Sequence, residues 1–70
     1  MIELNINANI YTKKNIDKVK QLYSDLAKIE EEQIGDIICL KFYECALDEK
    51  MTVMEFENYL IGLENSNGSY

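Results

Sequence analysis

The chain has seventy residues and a formal charge of −6, with seven lysines, no arginine and no histidine. That length holds one domain at most, and the acidic balance argues against general binding to nucleic acid or to an anionic membrane surface. Without histidine there is no Ser-His or Cys-His pair for nucleophilic catalysis, and two cysteines fall short of a tetrahedral zinc site.

Residues 2–10, IELNINANI, alternate strictly between apolar even positions and polar odd ones. This period of two predicts a strand with one buried face, formed by Ile2, Leu4, Ile6, Ala8 and Ile10. The outward Asn5, Asn7 and Asn9 are unusual in a strand. They read either as a solvated face or as a polar ladder that binds a peptide or lines an interface. Thr12 is a good N-cap for a helix starting at Lys13, although Lys13 and Lys14 in the first turn oppose the helix dipole. Ile16, Val19, Leu22, Tyr23, Leu26 and Ala27 then recur at three- and four-residue steps, which predicts an amphipathic helix over 13–26.

The stretch 27–33, AKIEEEQ, is ambiguous. Its Glu and Lys residues can extend the helix; alternatively it is a short strand that pairs with the next apolar run through a turn at Ile34-Gly35-Asp36. The hairpin is the preferred reading, and it places three consecutive glutamates on an edge strand, where charge discourages aggregation. Residues 36–47, DIICLKFYECAL, form the longest apolar β-prone run and read as the central strand. Ile38, Leu40 and Phe42 point to one side, and Ile37, Cys39, Lys41, Tyr43 and Cys45 to the other. After a polar connector, Thr52 and Glu55 fit a capping box, and Met51 with Phe56 fit a hydrophobic staple. The expected last helix, over 51–63, buries Val53, Phe56, Tyr59, Leu60 and Leu63. Residues 1–64 make a single compact domain, and 65–70 read as a disordered tail.

The expected architecture is therefore α+β: a three-stranded sheet with two helices on one face, in the order β-α-β-β-α. If adjacent, the first and central strands would run parallel through a right-handed crossover. The other face of the sheet would carry Asn5, Asn7, Cys39, Lys41 and Tyr43, with no helix left to cover it, and these residues are the candidate partner face. An RNA-recognition sheet would need paired aromatics among basic residues on that face, and Tyr43 stands there alone.

A domain of this size buries only about 60 % of its unfolded surface, so it usually relies on a disulfide, a metal or a partner. Cys39 and Cys45, on one expected strand, would lie on the order of 20 Å apart, well beyond the roughly 7 Å that a disulfide spans. A partner is then the expected support, and a homodimer is the simplest one. Two free thiols with no secretory segment indicate a cytoplasmic protein, and no apolar run reaches the roughly 18 residues of a membrane span. The acids at Glu30, Glu31 and Glu32 read as solvated, with nothing to tune them for acid–base work. No glycine-rich phosphate loop is present. The residues alone thus predict no enzyme, no cofactor and no metal. They are compatible with a small homodimeric structural or regulatory interaction protein.

Three segments, NANIYTKKNI, IICLKF and EFENYLIGL, together resemble the small HxsD-like proteins of His-Xaa-Ser-type peptide-modification systems. Ile10, Tyr11, Thr12, Glu55, Phe56, Asn58, Tyr59 and Leu60 carry the likeness. The second strand is more acidic here than in those proteins. The resemblance implies a non-enzymatic accessory or scaffold protein that works beside radical-SAM enzymes and binds a peptide or a modifying enzyme. It supplies no catalytic residue.

Overall fold

The computed structural model describes the backbone of residues 1–68 and the side chains of residues 1–65. The elements are β1 (Ile2–Asn7), α1 (Lys13–Leu22), β2 (Lys28–Ile34), β3 (Ile37–Tyr43) and α2 (Glu49–Gly68). The strands form one sheet in the order β1-β3-β2, and both helices cover the same side of it. Residues 28–33 of the ambiguous stretch are thus strand and not a helix extension, and the strand takes in Ile34, expected in the turn. Its two-residue turn has Gly35 at φ +59°, the pattern of a type II′ hairpin, in which glycine takes the first central position.

The relation between β1 and β3 differs from expectation. Each flanking strand pairs with β3 in the antiparallel sense, with Leu4 opposite Leu40 and Glu31 opposite Leu40 on the other side. The helical crossover from β1 leads to β2, not to β3, and the hairpin then reverses the chain into the gap between them. This is a split β-α-β arrangement. The parallel expectation counts the crossover but not the reversal.

The buried core is Ile6, Ile16, Val19, Ala27, Ile38, Leu40, Phe42, Val53, Phe56 and Leu60. Alternation on β3 places Ile38, Leu40 and Phe42 inward, and their partners Ile6, Leu4 and Ile2 lie on the same side of β1. The ring of Phe56 meets Phe42 edge-to-face, with centroids 5.1 Å apart at 86°, and Tyr23 at 5.4 Å and 64°. Such pairs contribute about 0.5–1.5 kcal/mol beyond their area.

Several boundaries are tighter than the apolar patterns suggest. β1 stops at Asn7 because Asn7 Oδ1 accepts from the Asn9 N–H at 2.8 Å, and the Asn7 carbonyl accepts from Ile10 and Tyr11 at 3.1 Å. This asparagine turn ends the alternation and leaves Ile10 exposed. α1 stops at Leu22, which is itself exposed. Ser24 Oγ donates to the Gln21 carbonyl at 2.8 Å, and the Leu26 and Ala27 amides fold back onto the Tyr23 carbonyl. β3 stops at Tyr43, because Glu44 takes φ +49°, a conformation few non-glycine residues adopt. Cys45 therefore lies outside the strand and packs against the core rather than on the open face. Both cysteines are free thiols.

α2 begins earlier than the T-x-x-E motif predicts. Asp48 is the capping residue: its Oδ2 accepts from the Met51 N–H at 2.9 Å, and its carbonyl accepts from the Thr52 N–H and hydroxyl at 2.9 and 2.8 Å. Thr52 is buried inside the first turns, while Met51 is exposed and makes no staple. Tyr59, expected in the buried stripe, is also exposed. The helix continues to Gly68, past the Glu64 boundary drawn for the domain. Of the tail expected over 65–70, residues 65–68 are thus helical, and the last two lie outside the described residues.

Two substitutions test this packing. Phe56→Ala should cost roughly 3–5 kcal/mol, the range for truncating a buried phenylalanine; its urea midpoint should fall accordingly, and an unchanged midpoint would show that α2 is not held through this ring. Gly35→Ala should cost about 1 kcal/mol. A Cβ there meets open space, so the loss is conformational alone and should leave the native fold intact by NMR.

Candidate functional site

The side of the sheet away from the helices is the candidate interaction face. The register brings its residues into rows. Asn7, Ile37 and Ile34 form one row; Asn5, Cys39 and Glu32 the next; Glu3, Lys41 and Glu30 the third; Tyr43 and Lys28 the last. Asn5, Asn7, Cys39, Lys41 and Tyr43 thus lie on one surface, with Asn5 directly opposite Cys39. Sequence reasoning does not reach the β2 contribution, Lys28, Glu30, Glu32 and Ile34. The signal for it is the alternation about Ile29, once 28–34 is taken as strand.

This face is flat and mixed in charge. Three carboxylates, Glu3, Glu30 and Glu32, stand among the ammonium groups of Lys28 and Lys41. Lys41 has a glutamate directly opposite it in each neighbouring strand, Glu3 in β1 and Glu30 in β2. The Cys39 thiol sits 3.7 Å from Glu3 Oε2. Partial burial, and then the negative charge of Glu3, push its pKa above the ordinary thiol value, so it is a weak nucleophile at neutral pH. Among the described residues, no three His, Cys, Asp or Glu side chains are grouped so as to hold a metal ion, and no helix is long and apolar enough to cross a membrane.

The other side of the sheet contains two carboxylates that fix α1. Alternation turns Glu31 inward, against expectation for the acidic run. There it accepts from Lys13 Nζ at 2.9–3.0 Å and from Lys20 Nζ at 3.0 Å, and its side chain is 16 % exposed. Lys13 also pairs with Asp17 one turn along, and the Asp17 and Glu31 hydrogen bonds raise the Lys13 pKa. Glu64 of α2 reaches the start of α1, where its Oε1 accepts from the Thr12 N–H at 2.7 Å, the Thr12 hydroxyl at 3.0 Å and the buried Asn15 amide at 3.0 Å. Thr12 is the N-cap, but its side chain does not cap its own helix. The anion that α1 lacks in its first turn comes from α2, at the positive end of the helix dipole.

A shallow groove also runs between the end of α1 and the start of β2, lined by Lys20, Ser24, Asp25, Lys28 and Glu44 among others. Its charges alternate in sign and do not converge on a point. In comparisons with known proteins, no family model matches the chain, and neither does any curated protein or solved structure.

The two internal carboxylates predict an acid limb of stability. Partial burial acts to raise the Glu31 pKa, but the hydrogen bonds and charges of Lys13 and Lys20 outweigh it, so the pKa lies below the ordinary 4.5. The Thr12 backbone N–H, ahead of the Asn15 and Thr12 side chains, lowers that of Glu64. A carboxylate with a depressed folded-state pKa contributes stability above its unfolded pKa and loses it as pH falls through the folded value. The urea midpoint should therefore be flat near neutrality and drop once pH falls below about 4.5. Glu31→Gln and Glu64→Gln should each be less stable at pH 7 and show a smaller drop; equal drops in wild type and variants would contradict these roles.

Proposed function

We propose that the protein is a non-enzymatic accessory or scaffold module that takes an extended peptide, or a partner protein displaying one, on the open side and free β2 edge of its sheet. The single observation that supports this is the one-sided cover: both helices lie on the same face, and among the described residues nothing covers the other. Outside the ladder with β3, no described backbone hydrogen bond uses β2, so its outer edge is available. Strand addition to such an edge supplies affinity through main-chain hydrogen bonds, with side chains on alternate positions providing selectivity. Three carboxylates on the face favour a segment that brings its own positive charge.

The HxsD-like resemblance gives this reading its setting. The peptide would be the precursor of a radical-SAM peptide-modification system, and the module would present it to the modifying enzyme in the cytoplasm. A radical-SAM gene beside that of this protein supports the setting; its absence removes it and leaves only the binding reading.

Titration of the ¹⁵N-labelled protein with the precursor peptide encoded beside it should shift amide signals along β2 and β3. No change along these strands at saturating peptide would sink the proposal. Lys41→Ala should alter peptide affinity about two- to fivefold, the range for an exposed charge contact, without moving the urea midpoint.

A further inference from the structure

α2 has two stripes. One, Thr52, Val53, Phe56 and Leu60, is buried in the core. On the opposite side Met51, Met54, Asn58 and Ile61 recur at steps of three, four and three residues, and Leu47 just ahead of the helix continues the same spacing. Leu47, Met51, Met54 and Ile61 are 63, 58, 57 and 37 % exposed. Apolar residues at alternating three- and four-residue steps are the seam of a coiled coil, not a solvated face. We propose that this outward face is a self-association seam, on which a second copy of the chain lays its own α2 alongside in parallel.

Three features select that occupant and that direction. The first is Asn58, the one polar position of the seam, between Met54 and Ile61. In a parallel pair it faces Asn58 of the second copy, and the two amides satisfy each other; in an antiparallel pair it faces Met54 and loses its partner. A single polar residue at such a position sets register and strand number in coiled coils. The second is charge. Lys50 and Glu55 flank the seam five residues apart, both exposed, and neither makes an ion pair among the described residues. In the parallel pair Lys50 of each copy meets Glu55 of the other. Glu57 meets Gly62 rather than a like charge, so two chains of net charge −6 approach without local repulsion. The third is that α2 is already folded against the core, so association does not bear the nucleation cost of a free helix. The open sheet face stays clear, and the dimer would carry two copies of it. This inference does not depend on the peptide-binding reading.

Sedimentation velocity on the full chain, from low micromolar to millimolar concentration, tests it. Wild type should sediment as a monomer–dimer equilibrium. Met54→Glu should raise the dissociation constant at least about tenfold, as loss of an interface anchor does. Its urea midpoint at low concentration should be unchanged, because Met54 does not enter the core. Lys50→Glu should raise the constant about fivefold through its two symmetric pairs, and Lys50→Glu with Glu55→Lys should restore it. A wild type that is monomeric at millimolar concentration overturns the proposal. So does a dimer that Met54→Glu leaves unchanged, which would place the interface elsewhere, or a double charge exchange that fails to restore association, which would exclude the parallel pairing.

Discussion

The ring of Phe56 is the point at which the sheet and both helices of this molecule meet. It bears edge-on against Phe42 of the central strand and against Tyr23 just past α1. A sheet of three short strands is not stable with its apolar face left exposed to water, and α1 is only ten residues long, too short to cover that face. α2 must therefore lie across the remainder, with its bulkiest side chain over the middle of β3. Burial of Tyr23 against this ring raises its phenolic pKa, with Glu55 and Tyr59 adding to the effect. The apolar body of that side chain closes the core while its position marks the edge of the solvent.

Electrostatics then orient what the rings hold. Most of the thirteen acids coat the surface, but Glu31 and Glu64 each bind α1 at a defined place, one along its flank and one at its start. α1 has lysines in its first turn where acids would suit the dipole, and the missing negative charge arrives from the far end of the chain. A single carboxylate oxygen receiving three donors does here what a local cap does in most helices. On the open side of the sheet the balance is closer, with Glu3, Glu30 and Glu32 set against Lys28 and Lys41.

The alternation in IELNIN and IICLKFY is enough to assign both strands, their inward residues and the five-residue candidate face. Gly35 marks the hairpin, and the spacing of Ile16, Val19, Val53, Phe56 and Leu60 marks the buried sides of both helices. Periodicity fails at the points where local hydrogen bonding overrides it. Asn7 ends β1 with its own side chain; Glu44 ends β3 by its backbone; Asp48 outcompetes Thr52 as a cap because the helix gains four more residues, 49–52. Glu31 escapes a local pattern because adjacent acids look alike in sequence and differ only in which side of a strand they occupy. The contact between Thr12 and Glu64 joins residues too distant for any such pattern. Leu22 and Tyr59 match the helical period, yet sit at the margins of their stripes, where sheet width decides burial.

The place of β3 between β1 and β2 also dictates an order of assembly. β1 and β2 never pair with each other, so neither can serve as a template until the later strand has arrived. The β2–β3 hairpin is local and closes over a two-residue turn, and it must then dock onto β1 across the intervening helix. Even then the core stays open on one side until Phe56 is in reach. Partial sheets have no route to stability, and each half of the chain stays non-native until the other completes it. The molecule should thus gain and lose its structure in a single cooperative step, with the non-local docking of β1 setting the speed.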